Sequence, residues 1–302
     1  MHRPIAYLRL MRPANIVTAV ADILAGFAAS GAVLQPFISE GSFNITAPQA
    51  LGWLVLSTIG LYGGGVVFND VFDVKLDRVE RPERPIPSGM ATQWGAAILG
   101  SVLLLIGVLA ALQVSILSGI LALAVAILAL VYDAIGKHHP VLGPLNMGAC
   151  RGGNLLLGVS VFPMMVGPRL FLALIPIAYI AAITMISRGE VHGGNRGVLR
   201  AAAAVYALVL LTLLVLGFRY GESFWHVVPF WGLFAFLIFP PLLKAQENPE
   251  PTRIRGAVRA GILALIVMDA TLAAAFAGWV YGLLVLALLP LSIFFAKRFA
   301  VT

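Results

Sequence analysis

The sequence predicts an all-α fold, a polytopic transmembrane helical bundle, from its composition and its long apolar runs. Of the 302 residues, 60% are hydrophobic and 11% are charged, and the mean hydropathy is +0.97. Soluble globular domains carry about 25% charged residues, so this chain falls outside their range. The apolar runs are of membrane-spanning length. We therefore expect a single integral membrane domain over residues 1–302, with nine or ten spans.

Ten apolar runs define the expected spans, and each is long enough to cross about 30 Å of hydrocarbon as a helix. They lie at 16–34, 50–68, 94–112, 114–132, 147–166, 169–187, 199–218, 225–243, 260–277 and 279–296. The first run follows a basic start and also resembles a signal peptide, but Asp22 in its middle favours a retained span. The last two runs are separated only by a turn at 278–282. A tilted or re-entrant segment is therefore the alternative to a tenth span.

The distribution of Lys and Arg predicts how the chain is oriented. If the N-terminus is cytoplasmic, 18 of the 20 basic residues fall on the cytoplasmic side, as membrane proteins prefer. Arg169 and Arg219 alone fall on the other side. This split predicts an even number of spans with both termini cytoplasmic. The net charge of +7 is scattered through short loops rather than clustered, so the expected partner is the lipid bilayer and not a nucleic acid.

The most highly charged stretch, GGGVVFNDVFDVKLDRVERPERPIPSG, occupies residues 63–89 at the end of the second run. Asn69, Asp73 and Asp77 are four residues apart and share one face of a helix. Like charges at this spacing destabilise a bare helix by about 0.2 to 0.5 kcal/mol per pair, so a cation between them is favoured. A few hard oxygen ligands suit Mg²⁺. We expect a Mg²⁺ site here, the alternative being a solvated helix end of mixed charge.

The pattern N-D-x-x-D-x-x-x-D, formed by Asn69, Asp70, Asp73 and Asp77 and followed by RPERPIPSG at 81–89, resembles a known motif. It is similar to the first aspartate-rich motif of the UbiA superfamily of intramembrane prenyltransferases. The resemblance implies a Mg²⁺-dependent transfer of an isoprenoid group from an allylic diphosphate to an aromatic or other lipophilic acceptor. It also implies that the motif lies at the cytoplasmic mouth of a helical bundle.

The same resemblance implies roles for individual side chains. These are metal ligation by Asn69, Asp73, Asp77 and Glu190, catalysis by Asp73, Asp77, Lys137 and Arg151, and substrate binding by Arg84, Arg188, Asp22 and Tyr132. Tyr132 would stabilise an allylic cation through its ring, and Asp22 would touch the acceptor. The alternative for Lys137 and Arg151 is anchoring at the cytoplasmic face. For Asp22 it is a hydrogen-bonded packing role, and for Tyr132 it is packing in the core or against lipid.

The loop ISRGEVHGGNRG, after the sixth run, takes the place of the family's second aspartate-rich motif and matches it imperfectly. Glu190 is its only acid, with His192 and Asn195 as further candidate ligands. One hypothesis is a second, weakly held Mg²⁺ at Glu190. Another is a single metal, with Arg188 and Arg196 supplying fixed positive charge to the phosphate. A surface loop with no ligand role is the third.

Two other functions compete with prenyl transfer. A CDP-alcohol phosphotransferase also gathers aspartates at a membrane mouth, but its D-G-x-x-A-R opening is absent, because Asn-Asp-Val-Phe stands there at 69–72. A non-catalytic lipid- or isoprenoid-binding or transport protein on the same scaffold is favoured by the depleted second motif. Transporters more often carry charges at the membrane midplane, whereas this chain concentrates them at one mouth.

Overall fold

The computed structural model describes residues 3–35, 37–38, 45–191, 193–221 and 224–299, and helices dominate it. The helices are α1 (Arg3–Leu10), α2 (Pro13–Ser30), α3 (Ala47–Phe72), α4 (Val74–Glu80), α5 (Gln93–Leu112), α6 (Ile116–Ala134), α7 (Leu142–Val159), α8 (Pro163–Arg169), α9 (Leu174–Ser187), α10 (Arg196–Tyr220), α11 (Val228–Glu247), α12 (Pro251–Leu286) and α13 (Leu288–Phe299). A two-residue antiparallel pair, β1 (Phe37–Ile38) and β2 (Ile45–Thr46), precedes α3. The predicted all-α membrane bundle is confirmed.

Several helices begin where local capping satisfies their first N–H groups. At the start of α3, the Gln49 backbone N–H donates to the Thr46 hydroxyl at 3.4 Å, and the Gln49 side chain accepts from the Thr46 N–H at 3.0 Å. This reciprocal arrangement is a capping box. At the starts of α5 and α6, the Thr92 and Ser115 hydroxyls accept from the backbone N–H groups of Gly95 and Ser118. Polar residues between apolar runs therefore fix where these spans begin.

Eight segments of the described chain are long and apolar enough to cross a membrane, against nine or ten predicted. The segment Pro251–Phe299, with 49 residues, is long enough for two crossings and turns at Gly278, whose φ of 82° and ψ of 170° suit only glycine. The predicted run 147–166 is also divided. Its polar first part belongs to α7, which ends at Val159, and α8 begins at Pro163. The predicted number of spans was therefore approximate.

The last helical segment returns along α2. The Tyr281 hydroxyl donates to the Leu24 carbonyl at 3.3 Å, and the Ser292 hydroxyl donates to the Ala14 carbonyl at 3.0 Å. The C-terminal segment is therefore antiparallel to α2. Helix α13 thus lies near the start of α2.

Arg169 and Arg219, the two cations predicted for the non-cytoplasmic side of the membrane, meet at the end of the bundle where α2 ends. The guanidinium of Arg169 lies 4.5 Å from the centre of the Tyr220 ring, and that of Arg219 lies 5.5 Å from it. The Nε of Arg169 also donates to the carbonyl of Ala29, near the end of α2. This grouping agrees with the charge distribution read from the sequence.

Helix α2 is buried at every position from Ile16 to Ser30 except the half-buried Val20, and it packs on α3, α7, α12 and α13. It approaches α7 closely, because a Cβ atom at Gly26 would lie 2.1 Å from the carbonyl oxygen of Leu155. Glycines permit such close backbone contact between membrane helices. The contact brings the earlier turns of α7, with Arg151 and Asn154, against α2.

Candidate active site

A cavity of about 520 Å³ lies among α2, α3, α4, α6, α7, α9 and α12. Seven of the ten predicted site residues line it, namely Asn69, Asp73, Asp77, Arg84, Tyr132, Lys137 and Arg151. The α9 and α12 side is largely apolar and includes Ile180, Ile183, Val258, Ile262 and Leu265. One wall is therefore charged and the other hydrophobic, which suits a ligand with an anionic head and an apolar chain.

The acidic wall is formed where α3 passes into α4. Asp73 lies at the junction, with φ of −87° and ψ of 2°. Helical hydrogen bonds nevertheless cross it, because the Asp73 N–H donates to the Asn69 carbonyl at 3.0 Å and the Asp77 N–H to the Asp73 carbonyl at 2.8 Å. The change from α3 to α4 therefore leaves Asn69, Asp73 and Asp77 lining one cavity.

Each of the two cavity-lining carboxylates in this motif is paired with a cation. The Lys137 ammonium forms an ion pair with Asp73. The Arg84 Nη1 donates to the Asp77 Oδ2 at 2.8 Å, and both of these side chains are buried. Buried charges are stable only when such partners remain. A ligand that binds the acids or the bases must therefore break these pairs and provide replacements.

Asp70 is buried and does not line the cavity. Its Oδ1 accepts from the Arg12 Nη2 at 2.8 Å and from the Arg84 Nη1 at 3.2 Å. Arg84 thus bridges Asp70 and Asp77. Arg12 and Arg84 both line the cavity, whereas Asp70 does not. Asp70 therefore positions two cavity-lining guanidinium groups without contacting the cavity itself.

Asp133, in the last turn of α6, is a cavity residue that the sequence reasoning missed. The Asn69 Nδ2 donates to its Oδ1 at 2.8 Å. An ionised carboxylate only accepts hydrogen bonds, so the contact determines which way the Asn69 amide points and turns its oxygen away from Asp133. The available signal in the sequence was an acid four residues before Lys137.

Arg151 lies in the middle of α7 and is only 5% exposed, so it is a buried residue of a helix, although it was counted among the cytoplasmic cations. Its Nε lies 3.0 Å from the Asp22 Oδ2. Its Nη1 and Nη2 donate to the hydroxyl and carbonyl oxygens of Thr18, at 3.3 and 3.1 Å. Asp22 does not line the cavity. The structure places it behind Arg151, as the counterion of that guanidinium.

Glu190 does not line the cavity either. Burial raises the pKa of its carboxyl above the ordinary value, while the nearby cations Arg81 and Arg255 act to lower it. Arg81 lines the cavity, so Glu190 lies near one cavity cation without lining the cavity itself. His192, named with Glu190 as a candidate ligand, lies outside the described residues.

The other polar residues of this loop bind main-chain groups. The Asn195 side chain accepts from the Gly197 N–H at 2.6 Å and so caps α10. Arg188 is exposed and donates to the carbonyl of His139 at 2.9 Å. Arg196 donates to the carbonyl of Glu247 at 2.8 Å. None of the three lines the cavity.

The donor chemistry of the acidic wall fits Mg²⁺ under one condition. Within the described ranges, no group of three or more His, Cys, Asp and Glu side chains is placed to hold a metal ion. Mg²⁺, however, needs few protein ligands and completes its shell with water and phosphate oxygens. Asn69, Asp73 and Asp77 offer hard oxygen atoms to one cavity. They fit a Mg²⁺ ion that is shared with a phosphorylated ligand.

The chain is thus a membrane bundle whose cavity has paired acids and bases at one wall and hydrocarbon at the other. The UbiA prenyltransferase family model matches residues 23–255 of this chain. The chain belongs to that family, and the resemblance read from the motif is confirmed.

Curated relatives carry one recurring name. The digeranylgeranylglyceryl phosphate synthase of Methanosarcina mazei is 35% identical over 163 residues, covering 52% of this chain and 54% of that protein. The synthase of the same name from Methanoculleus marisnigri is 28% identical over 235 residues, covering 76% and 79%. The chain thus spans about half the length of the first of these relatives.

Solved structures show the same fold. A UbiA homologue from Archaeoglobus fulgidus, bound to GPP and Mg²⁺, superimposes with a TM-score of 0.63. The match covers 93% of this chain and 99% of that one, at 16% sequence identity. This likeness confirms the architecture of the bundle.

Proposed function

We propose that this protein is a Mg²⁺-dependent intramembrane prenyltransferase, which moves an isoprenoid group from an allylic diphosphate to a lipophilic acceptor. The observation that carries the proposal is the division of one cavity into a charged wall and a hydrocarbon wall. The charged wall suits the diphosphate, and the hydrocarbon wall suits the isoprenoid chain. The name of the relatives adds support, since it describes a glyceryl phosphate that carries two geranylgeranyl groups.

In this proposal the diphosphate takes the cations away from the acids of the motif. Lys137 and Arg84 are held by Asp73 and Asp77 in the ligand-free arrangement. A diphosphate offers the same cations stronger and more numerous acceptor oxygens, and guanidinium groups bind phosphate in a forked geometry. Arg81, exposed at the cavity edge, would bind the same anion. Binding would therefore release the two carboxylates.

The released acids would hold the metal. Asn69, Asp73 and Asp77 would be its ligands, and Asp133 would orient the Asn69 amide for that role. When bound, Mg²⁺ would supply Lewis-acid polarisation of the diphosphate, which favours cleavage of the allylic C–O bond. Lys137 and Arg84 would stabilise the negative charge that develops on the departing diphosphate.

The hydrocarbon wall would protect the allylic group. Ile180, Ile183 and Leu265 line that side and keep water away from a cationic centre. Tyr62 and Tyr132 also line the cavity, and an aromatic ring face attracts a cation. The acceptor would therefore compete with little water for the allylic carbon. A lipid alcohol of the glyceryl phosphate type is the acceptor class favoured by the relatives, and an aromatic acceptor is the alternative.

The protein is integral to the membrane. We assign both termini and the charged mouth of the cavity, which is the wall with Asp73, Asp77, Arg84 and Lys137, to the cytoplasmic side. The support is the distribution of Lys and Arg between alternate loops. A reporter fused after Thr302 tests this assignment. A signal from the far side of the membrane would contradict it.

The activity is tested with purified full-length protein and allylic diphosphates of increasing chain length. We expect diphosphate release that requires Mg²⁺ and increases when a glyceryl phosphate lipid is added. Asp73→Asn should abolish release, while Glu83→Gln, at an exposed acid of the same stretch, should preserve it. Tight donor binding without release or product would instead indicate a non-catalytic isoprenoid-binding protein.

A further inference from the structure

Two aspartates from distant parts of the sequence meet in the interior of the bundle, beneath the cavity. Asp22 of α2 and Asp269 of α12 are both 0% exposed, and neither lines the cavity. Their side chains lie within hydrogen-bonding reach of each other. Carboxylates inside membrane helices are rare and normally have a specific partner. This pair therefore requires an explanation apart from the cavity chemistry.

The partners are distributed unequally between the two carboxyl groups. The Asp22 Oδ2 accepts from the Asn154 Nδ2 at 2.9 Å and pairs with the Arg151 Nε at 3.0 Å. Both oxygens of Asp269, and the Oδ1 of Asp22, have no hydrogen-bond donor among the described residues. An unsatisfied buried polar atom costs about 1 to 3 kcal/mol, and a charged one costs more. Three such atoms in one small cluster indicate a missing donor.

The charges of the cluster lead to the same conclusion. Two ionised carboxylates beside one guanidinium leave a net charge of −1 in the middle of the bundle. In the described part of the chain, Arg151 is the only cation ion-paired with either acid. A carboxylate cannot donate to another carboxylate, so two of them approach each other only when one carries a proton. One proton both supplies the donor and cancels the charge.

We propose that Asp22 and Asp269 form a buried site that holds a single proton. Asp269 carries the proton and donates a hydrogen bond to Asp22. Asp22 stays ionised because its carboxylate is already stabilised by Arg151 and Asn154. The proton links α12 to α2. It also keeps Asp22 available as the counterion that holds Arg151 at the cavity wall. This site stands on the contacts of the cluster and does not depend on the proposed function.

Infrared spectroscopy of the full-length protein in lipid nanodiscs tests the site. A protonated carboxyl group gives a carbonyl stretching band that is distinct from that of a carboxylate and shifts in D₂O. We expect the wild type to show such a band and Asp269→Asn to lose it. Met268→Leu, a conservative change at the neighbouring buried position, is the control and should retain it.

Thermal stability provides the second measurement. An Asn side chain has the shape of a protonated Asp and can donate to Asp22, so Asp269→Asn should melt within a few degrees of the wild type. The double variant Asp22→Asn with Asp269→Asn leaves Arg151 buried without a counterion. Breaking a buried ion pair is strongly destabilising, and we expect its melting temperature to fall by about 10 °C.

Three outcomes would overturn the site. The first is a carboxyl band that stays unchanged in Asp269→Asn. The second is a wild type that melts higher in sodium than in choline at equal ionic strength, with the difference lost in Asp269→Asn, because that would identify a bound metal cation. The third is failure of Asp269→Asn to fold when Met268→Leu folds, because a neutral group would then not be native at position 269.

Discussion

The charged mouth of the cavity and its buried floor both pair acids with bases, but they differ in whether both partners line the cavity. At the mouth, both members of the Asp77–Arg84 and Asp73–Lys137 pairs line it, whereas at the floor Arg151 lines it and Asp22 does not. At the floor, Asp22 and Arg151 come from α2 and α7 and have several fixed neighbours. The mouth is therefore suited to exchanging partners with a ligand. The floor is suited to holding helices together.

The largest expected effect on ligand binding comes from removing an acid at the mouth. Asp73→Asn and Asp77→Asn should each weaken Mg²⁺-dependent donor binding by at least about 100-fold, because the metal uses the carboxylate charge. The melting temperature should change little in Asp73→Asn, whose pair with Lys137 is partly exposed, and should fall in Asp77→Asn, which removes a buried partner of Arg84. Titration with a non-cleavable donor analogue at several Mg²⁺ concentrations measures this, with Glu83→Gln as the matched control. Unchanged binding in both variants would remove the metal site from the mouth.

The largest expected effect on stability comes from the floor. Arg151→Ala leaves Asp22 buried without its cation and should cost about 3 to 5 kcal/mol, whereas Arg151→Lys should recover part of that loss. Lys137→Ala, which removes a cation at the mouth, is the matched control because its partner Asp73 is only partly buried. Thermal melting in detergent compares the three. Equal losses for Arg151→Ala and Lys137→Ala would erase the proposed distinction between floor and mouth.

Asp70 belongs to the same motif as the mouth residues Asp73 and Asp77, but it is buried like the floor residue Asp22. It therefore tests which of the two properties decides its role. Asp70→Asn weakens the contacts that position Arg12 and Arg84, and hydrogen bonds to charged groups contribute about 1.5 to 3 kcal/mol each. We expect a measurable loss of stability and a smaller loss of donor binding than for Asp73→Asn. Equal losses of binding at positions 70, 73 and 77 would mean that all three carboxylates meet the ligand.

A fourth test concerns the orientation of the Asn69 amide. Asp133→Ala should raise the Mg²⁺ concentration needed for donor binding by about 10-fold, a typical consequence of losing a residue that orients a metal ligand. Asp133→Glu should recover part of it. Equal Mg²⁺ requirements in the wild type and Asp133→Ala would show that Asn69 does not need this contact.

The mouth and the floor also differ in how far the sequence predicts them. Helix periodicity is local, so the spacing of Asn69, Asp73 and Asp77 was enough to place them on one wall. The pairing of Asp22 with Arg151 depends on the close approach of α2 and α7 at Gly26, which no local pattern encodes. The spans followed from hydropathy, whereas the polar helix α7 was only partly recognised. Composition reports how apolar a segment is and not which helix it packs against.

The smallest expected effect belongs to the loop after α9. Burial raises the pKa of Glu190, so its ionised form is less favourable in the folded protein than in the unfolded chain. The contribution of Glu190 to the free energy of unfolding should therefore fall as pH rises from the ordinary pKa of 4.5 toward the raised pKa, and Glu190→Gln should not show that fall.

Because neither Glu190 nor Arg188 lines the cavity, Glu190→Gln and Arg188→Ala should change the Mg²⁺ requirement for donor binding less than about two-fold. Arg81→Ala, at a cavity-lining cation, should change it more. A clear rise in the Mg²⁺ requirement of Glu190→Gln would place a second metal at this loop, and a large loss of binding in Arg188→Ala would assign the fixed charge to that arginine.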